Sequence, residues 1–311
     1  SGPLNGDCFR GEWSRDYIYR ESYILSSLLL GLVPALGWGM QAIVMQIVGG
    51  KFTNKVMGMV TGNLIFAAII FIFRQPASLT PSLIIGAVLC SVFWGIGQIL
   101  QVCSFDLLGV SMAMPINTAE QLIGTILFGV FYFHEWHTTR QYLFGIVAIL
   151  LIIVGVIVIS IRGKDSGSVS PQDFLNGIVV VSVSSAGLVG YAVIPRIFGL
   201  NGWDMLLPQA IAMWLVISGI VSRVRDNYMW RVKSWHNIIT GFCFGIANLT
   251  MLLSNELNGV SIGYTLSQMN VVVSTIGGIV ILHEHAGEQH RKLITGLFLI
   301  IGGAIFIGLT K

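Results

Sequence analysis

The chain has 311 residues, of which 54% are hydrophobic and only 10% are charged, and its formal net charge is +3. An ordinary soluble domain has about 25% charged residues, so this composition excludes a soluble protein of the usual kind. The small net charge is scattered along the chain, which gives no indication of a nucleic-acid partner. Lipid is therefore expected to be the solvent for much of the surface.

The predicted elements follow a polar N-terminal tail, residues 1–22, which carries charged and aromatic side chains. A helix that crosses the hydrocarbon core needs about 20 mostly apolar residues. Ten segments of that kind follow in chain order: 23–45, 56–73, 82–103, 109–133, 141–161, 174–195, 204–222, 236–255, 260–282 and 292–309. Backbone groups in lipid must be satisfied internally, and each segment is too long for a barrel strand. The sequence therefore predicts an all-α integral membrane protein with ten transmembrane helices.

An internal repeat with a spacing of about 150 residues relates the two halves of the chain. Gly109-Val110-Ser111, for example, recurs as Gly259-Val260-Ser261. Five helices per unit is an odd number, so the second unit is expected to enter the membrane upside down. Inverted repeats of this kind are typical of alternating-access carriers. We expect repeat 1 over residues 23–162, a linker over 163–173 and repeat 2 over 174–311.

The basic residues of the loops predict the orientation. One side of the predicted bundle holds most of those outside the tail: Lys51, Lys55, Arg162, Lys164, Arg223, Arg225, Arg231, Lys233, Arg291 and Lys292. Cytoplasmic loops carry the excess of Lys and Arg, so this side is expected in the cytoplasm. Both termini of this multi-pass protein of the plasma membrane are then expected on the extracellular side.

Glu120 lies near the centre of the fourth segment, where an unpaired carboxylate costs at least about 2.5 kcal/mol. Burial favours the neutral form of a carboxyl group, which therefore takes up a proton readily. The functional interpretation is proton coupling or direct contact with a substrate. The structural alternative is a hydrogen-bonded acid between helices. Asn117, Gln121 and Gly124 share its stripe on the helix at spacings of three and four residues.

Uncharged polar and aromatic side chains recur at matching places in both halves. Those expected to line a site near the membrane midplane are Trp38, Gln41, Trp94, Gln98, Asn117, Gln121, Tyr191, Asn248, Tyr264, Gln268 and Asn270. Amides donate to and accept from adjacent hydroxyl groups, and a ring covers the apolar face of a pyranose, so the set suits a neutral polyol. For any single amide, an interhelical hydrogen bond worth about 0.6 kcal/mol is the structural alternative.

Other polar residues indicate structure rather than chemistry. Glu135 recurs as Glu284, one residue out of register, and both are expected to pair with loop cations or to cap neighbouring helices. His283 and His285 fit no metal-ligand spacing. The sequence contains no nucleophile–base motif of the hydrolase type. We therefore predict no enzyme activity, no metal and no cofactor.

Several longer motifs in both halves carry a family resemblance. They include Pro34-Ala35-Leu36-Gly37-Trp38-Gly39, Met114-Pro115-Ile116, Gln121-Leu122, Glu135-Trp136, Leu266-Ser267-Gln268 and Ile281-Leu282-His283-Glu284. With these motifs the chain resembles the bacterial glucose/ribose uptake family (GlcU/RbsU-like) of the drug/metabolite transporter superfamily over nearly everything after residue 23. The resemblance implies the drug/metabolite transporter fold, with ten helices in two inverted five-helix repeats, and import of a monosaccharide with a proton.

The sequence thus predicts a secondary active transporter of a glucose- or ribose-class sugar that works by alternating access, as a monomer or homodimer. Its expected partners are the sugar, a proton at Glu120 and membrane lipid. Two alternatives stay open. One is a drug/metabolite exporter of amino acids or cationic compounds that uses Glu120, and the other is a membrane sugar sensor that does not transport.

Overall fold

The structure is a computed structural model that describes residues 7–74, 78–108, 110–160, 171–225, 227–281 and 290–311. These residues form α-helices and one π-helical segment, Phe128–Tyr132, which continues α4, and they contain no strand. The helices are α1 (Asp7–Val48), α2 (Phe52–Phe73), α3 (Pro81–Leu108), α4 (Val110–Leu127), α5 (Thr139–Ser160), α6 (Pro171–Ile197), α7 (Gly202–Val221), α8 (Val232–His236), α9 (Ile238–Asn258), α10 (Val260–Ser267), α11 (Asn270–Val280) and α12 (His290–Gly308).

The ten predicted segments are helical over most of their described length. Helix α1 begins at Asp7, so residues 7–22 of the predicted tail are helical and continuous with the first segment. Seven of the described helices are long and apolar enough to cross a membrane. The other predicted spans correspond to α4 with its π-helical end, to α10 with α11, and to α12. The chain is therefore a multi-pass helical membrane protein.

The ninth predicted segment, 260–282, is not one continuous helix. Helix α10 ends at Ser267 and α11 begins at Asn270. Between them the Gln268 N–H donates to the carbonyl oxygen of Thr265 at 3.2 Å, a bond of the tighter i→i+3 kind. The sequence has neither Gly nor Pro at this turn, so the break carried no local signal. Broken helices of this kind are a recurrent feature of transporter binding sites.

The helices pack in matched pairs. Helix α1 packs along α9, and α3 packs along α6. Helix α2 packs on α9, and α3 packs on α7. Helix α1 also packs on α10 and α11, and α4 packs on α6. Helices α5 and α12 pack together, and so do α2 and α7. Under the sequence repeat, each of the first five spans corresponds to the span five places later. Replacing both helices of a pair by their counterparts gives another observed pair, as α1–α9 gives α6–α3, or the same pair, as for α5–α12. The packing therefore follows the sequence repeat.

Glycines at the α1–α9 and α3–α6 contacts show the same correspondence in detail. A Cβ at Gly37 of α1 would lie 2.9 Å from the carbonyl oxygen of Cys243 in α9, and a Cβ at Gly187 of α6 would lie 2.8 Å from that of Phe93 in α3. Both residues of the second contact lie 150 positions from those of the first. Small residues let helix backbones approach closely. The resulting van der Waals packing stabilises helix pairs in lipid, where the hydrophobic effect does not drive helices together.

Contacts along these helices fix their relative directions. In α1, Gly31 meets Ser254 whereas Gly37 meets Cys243 earlier in α9, so α1 and α9 run antiparallel. The pair α5 and α12 is antiparallel too and has its own repeated contact. A Cβ at Gly155 of α5 would lie 2.7 Å from the carbonyl oxygen of Gly296 in α12. A Cβ at Gly303 of α12 would lie 2.9 Å from the carbonyl oxygen of Ala148 in α5.

Candidate functional site

Asn117 is the centre of a buried group of amide and hydroxyl side chains between α3, α4 and α6. Its amide nitrogen donates to the Ser184 hydroxyl at 3.0 Å, and its carbonyl oxygen accepts from Gln101 Nε2 at 3.2 Å. Gln121, one turn further along α4, donates to the same oxygen. Ser184 Oγ donates in turn to the carbonyl oxygen of Gly97 at 2.7 Å. These groups satisfy one another, as buried polar groups must.

The group continues along α3 and into one further helix, α10. Gln98 Nε2 donates to Gln101 Oε1 at 3.3 Å, which adds a second amide from α3. On the opposite side, the Tyr264 hydroxyl of α10 donates to Gln121 Oε1. We call the side chains of this set the α4 network: Gln98, Gln101, Asn117, Gln121, Ser184 and Tyr264. It links four helices through uncharged groups, most of which both donate and accept.

A second buried chain of polar groups runs between α6, α9, α7 and α3. The Tyr191 hydroxyl donates to Asn248 Oδ1 at 2.6 Å, and Asn248 Nδ2 donates to Gln209 Oε1 at 2.8 Å. Gln209 Nε2 then donates to the sulfur of Cys90 at 2.9 Å. We call these four side chains the α9 network. Both of its amides are fully buried, so it too depends on internal hydrogen bonds.

Gln209 is a polar residue of this region that is not among the predicted site residues. It follows Pro208 in a stretch of α7 that is apolar from Met205 to Ile217 apart from this residue, and that isolated amide is the signal that could have identified it. The position 150 residues earlier is Met59, so the repeat offered no matching amide. Its partner Asn248 was selected because the repeat pairs it with Gln98.

Aromatic rings lie beside both networks. Trp94 and Phe244, which occupy positions 150 residues apart, have ring centroids separated by 5.4 Å. Both are buried in one hydrophobic cluster with Tyr191 and Tyr264. Trp38 of α1 is half-buried and packs against that cluster. The predicted aromatic residues are therefore brought together with the predicted amides.

The remaining predicted amides, Gln41, Gln268 and Asn270, are not members of either network. Gln41 Nε2 donates to the sulfur of Met59 at 3.0 Å, and Gln41 Oε1 is buried with no partner among the described residues. Gln268 is buried at the turn between α10 and α11, and Asn270 is half-buried at the first position of α11. Gln41 thus offers a hydrogen-bond acceptor that the described protein groups leave unused.

Glu120 faces a different neighbour from Asn117 and Gln121. Its Oε1 accepts from the Ser182 hydroxyl of α6 at 2.7 Å, and its Oε2 is buried with no partner among the described residues. Glu120 and Ser182 line a groove of about 570 Å³ whose other walls are mostly apolar and include Phe93, Phe128, Val189 and Ile197. The structure therefore brings Gln98, Asn117 and Gln121 into one network and Asn248 into another, and it puts the carboxylate of Glu120 in a groove between α4 and α6.

Comparison with known proteins identifies the kind of molecule that carries these networks. The family model described as "Sugar transport protein" matches residues 29–310. The chain belongs to the sugar transport protein family. The resemblance noted in the sequence is thereby confirmed, and the family is one of transport proteins rather than of enzymes.

Two relatives and one solved structure are similar to this sugar transport family member over nearly its full length. A Listeria monocytogenes protein named for sugar uptake (lmo0169) is 41% identical over 288 residues, 92% of this chain and 99% of its own length. A Bacillus cereus protein named for glucose uptake (GlcU) is 36% identical over 289 residues, 92% of this chain and 100% of its own. One crystal structure shares the fold with a TM-score of 0.74 at 16% identity, covering 92% of this chain and 99% of that chain.

Proposed function

We propose that this protein imports a monosaccharide of the glucose or ribose class across the plasma membrane. The observation that carries this proposal is the pair of buried, uncharged networks inside a member of the sugar transport family. Sugar hydroxyl groups both donate and accept, so they can replace the bonds that these side chains now make with one another. The relatives named for sugar and glucose uptake support the same substrate class.

The sugar site in this proposal combines the predicted residues with the partners that the structure adds. It comprises Trp38, Gln41, Trp94, Gln98, Asn117, Gln121, Tyr191, Asn248, Tyr264, Gln268 and Asn270, together with Gln101 and Gln209. Its aromatic members supply rings for the apolar face of a sugar. The unused acceptor of Gln41 provides a place for a hydroxyl donor without breaking an existing bond between described groups.

The proposed mechanism is alternating access by two inverted five-helix repeats. Three observations support it: the helix pairs that exchange under the repeat, the recurrence of the Gly37 contact at Gly187, and the antiparallel direction of the paired helices. In carriers of this kind the substrate lies near the midplane between the halves, and one bundle rocks against the other. Helices α3, α4, α9 and α10 would move around the two networks.

The proposed orientation has both termini outside the cell, because the loops rich in Lys and Arg belong in the cytoplasm. Contacts between two of those loops support their assignment to one side. Lys51 lies 4.2 Å from the centre of the Tyr228 ring, and Lys233 Nζ donates to the carbonyl oxygen of Val48 at 2.7 Å.

Glu120 is the proposed proton site. Its Oε2 has no hydrogen-bond partner among the described residues and lies in a mostly apolar groove, so it is an acceptor oxygen that a transported proton can use. Uptake should therefore be driven by a proton gradient directed into the vesicle.

In the Glu120→Gln variant, sugar uptake is expected to lose its acceleration by an acidic exterior, because the amide keeps the shape and loses the titratable group. Exchange of labelled for unlabelled sugar should persist, since exchange needs no net proton movement. Uptake into proteoliposomes with and without a pH gradient measures the difference. Glu256→Gln is the matched control, because Glu256 is exposed and bonds to Asn201. A Glu120→Gln variant that keeps the full response to the gradient contradicts the assignment.

One observation favours a second function, the export of amino acids or cationic compounds. The unpartnered oxygen of Glu120 in an apolar groove would also suit an organic cation, which requires a buried negative charge and an apolar wall. Uptake of labelled glucose and ribose, compared with amino acids and a lipophilic cation in the same proteoliposomes, distinguishes the two functions. Sugar uptake without cation uptake supports the import of sugar, and the reverse result supports the exporter.

A further inference from the structure

Glu135 lies at the end of the α4 span, on a turn that brings its carboxylate to the start of α10. Its Oε1 accepts from the backbone N–H of Val260 at 2.7 Å, and its Oε2 accepts from that of Ser261 at 2.9 Å. Free N–H groups at a helix N-terminus favour a negative charge, so this carboxylate caps α10. The predicted capping role is confirmed for Glu135, whereas Glu284 lies outside the described residues.

Arg196 ties the same carboxylate to two other helices. Its guanidinium Nη1 lies 3.1 Å from Glu135 Oε1 and donates to the carbonyl oxygen of Asn255, near the end of α9, at 2.8 Å. The guanidinium also lies 4.9 Å from the centre of the Phe133 ring. The side chain of Glu135 is only 9% exposed, so this ion pair is better shielded from water than an ordinary surface pair. The α4 span, α6, α9 and α10 therefore meet at one ion pair.

The backbone fits tightly around this carboxylate. Gly259, which precedes α10, has a φ of +86°, and a Cβ there would lie 2.7 Å from the carboxyl carbon of Glu135. A Cβ at Gly129, in the π-helical segment, would lie 2.6 Å from Glu135 Oε2. Only glycine leaves room at both places, so the polypeptide closes directly around the ion pair at this end of the bundle.

Helix α10 connects this closed end to the α4 network. It has eight residues, from the capped Val260 to Ser267, and it is separated from α11 by the turn at Gln268. Tyr264, in its middle, donates to Gln121 of the α4 network. Glu135 therefore holds one end of a short helix whose centre contacts the proposed sugar site.

We infer that Glu135 and Arg196 form a latch that keeps the proposed sugar site closed at this end, with α10 as the element that it holds. The inference rests on the proposed transport function. Opening at this end requires α10 to separate from the α4 span or from α6, and either movement breaks charge-assisted hydrogen bonds, which are about twice as strong as neutral ones. Glu135 is a positioning residue in this inference and does not touch the sugar.

A cysteine at Val260 reports whether the latch is closed. Val260 is fully buried, and its replacement by cysteine keeps the backbone N–H that Glu135 accepts. In purified protein in which Cys8, Cys103 and Cys243 are serine and the fully buried Cys90 is kept, a charged maleimide should label Val260→Cys slowly. Adding Glu135→Gln or Arg196→Gln should raise the labelling rate about tenfold, because each removes the ion pair. Arg196→Lys, which keeps a cation, should have a smaller effect.

Matched controls separate the latch from general loosening. Glu256→Gln removes an exposed carboxylate at the same end, and Arg223→Gln removes a guanidinium that donates to the carbonyl oxygen of Gly219; neither should change the rate. Size-exclusion profiles check that each variant is folded. Unchanged labelling in both Glu135→Gln and Arg196→Gln, or equal acceleration by Glu256→Gln, overturns the latch.

Sugar exchange, measured separately on the same proteins, distinguishes failure of the latch from failure of the proposed function. Intact exchange with no labelling effect removes only the latch. Faster labelling in Glu135→Gln and Arg196→Gln, with no sugar exchange by the protein that lacks these two substitutions, contradicts the proposed sugar transport. It still supports a latch at this end of the bundle.

Discussion

Sugar exchange by a Gln121→Leu variant is expected to fall about 30-fold or more below that of the unaltered protein, because a sugar hydroxyl left without a partner in a buried site costs about 1–3 kcal/mol. Gln121 donates to Asn117 and accepts from Tyr264, so it joins the α4 side of the proposed site to α10. Leucine has a similar size but neither donates nor accepts. Its effect should therefore appear in the exchange rate of folded protein.

Two further variants show whether the loss belongs to the site. Tyr264→Phe removes the hydroxyl that donates to Gln121 and leaves the amide in place, so this variant should lose less exchange activity than Gln121→Leu. Gln172→Leu makes the same chemical change at an exposed amide of α6, which bonds to Asn176, and should leave exchange unchanged. Initial exchange rates per folded protein measure all three. A Gln121→Leu variant with more than half of the normal rate contradicts the assignment.

The Gly62→Val variant is expected to show the largest loss of stability. A Cβ at Gly62 of α2 would overlap the carbonyl oxygen of Ile238 and lie 2.9 Å from the Cα of Gly241, both in α9. These are backbone atoms of a packed helix, so they cannot move aside independently. Overpacking of this kind costs about 3 kcal/mol and should lower the apparent Tm in detergent by about 5 °C or more.

Gly219→Ala is the control for that variant. Gly219 lies in α7, and a Cβ there would meet only the guanidinium of Arg223 at 3.8 Å. Alanine favours a helix over glycine by about 1 kcal/mol, so the Tm of this variant should stay the same or rise. The fraction of monomer that remains after heating measures the Tm of each protein. Equal Tm values for Gly62→Val and Gly219→Ala would contradict the close contact between α2 and α9.

The apolar segments could be predicted because they depend on composition. Lipid requires long apolar helices, and the same spacing that relates Gly37 to Gly187 in the sequence relates their contacts in the fold. The clustering of amides could also be anticipated, since buried amides require partners and the repeat shows which helices supply them. Tyr191 and Asn248, selected on separate helices, do bond to one another.

The direction in which Glu120 points could not be predicted from its stripe. Successive residues of an α-helix are separated by about 100°, so Glu120 and Gln121 on one broad stripe can face different neighbours. Gln121 faces α10, and Glu120 faces Ser182 of α6. The break after Ser267 was equally hidden, because tertiary contacts rather than Gly or Pro determine where that helix ends.

Counterflow of glucose and ribose in proteoliposomes tests the central claim most directly. Vesicles that contain the purified protein and are loaded with unlabelled sugar should transiently accumulate the labelled sugar from outside, with no pH gradient applied. Vesicles without protein should not. Measurable sugar binding without counterflow would instead describe a sensor, and counterflow of amino acids or a lipophilic cation in place of sugar would contradict the account.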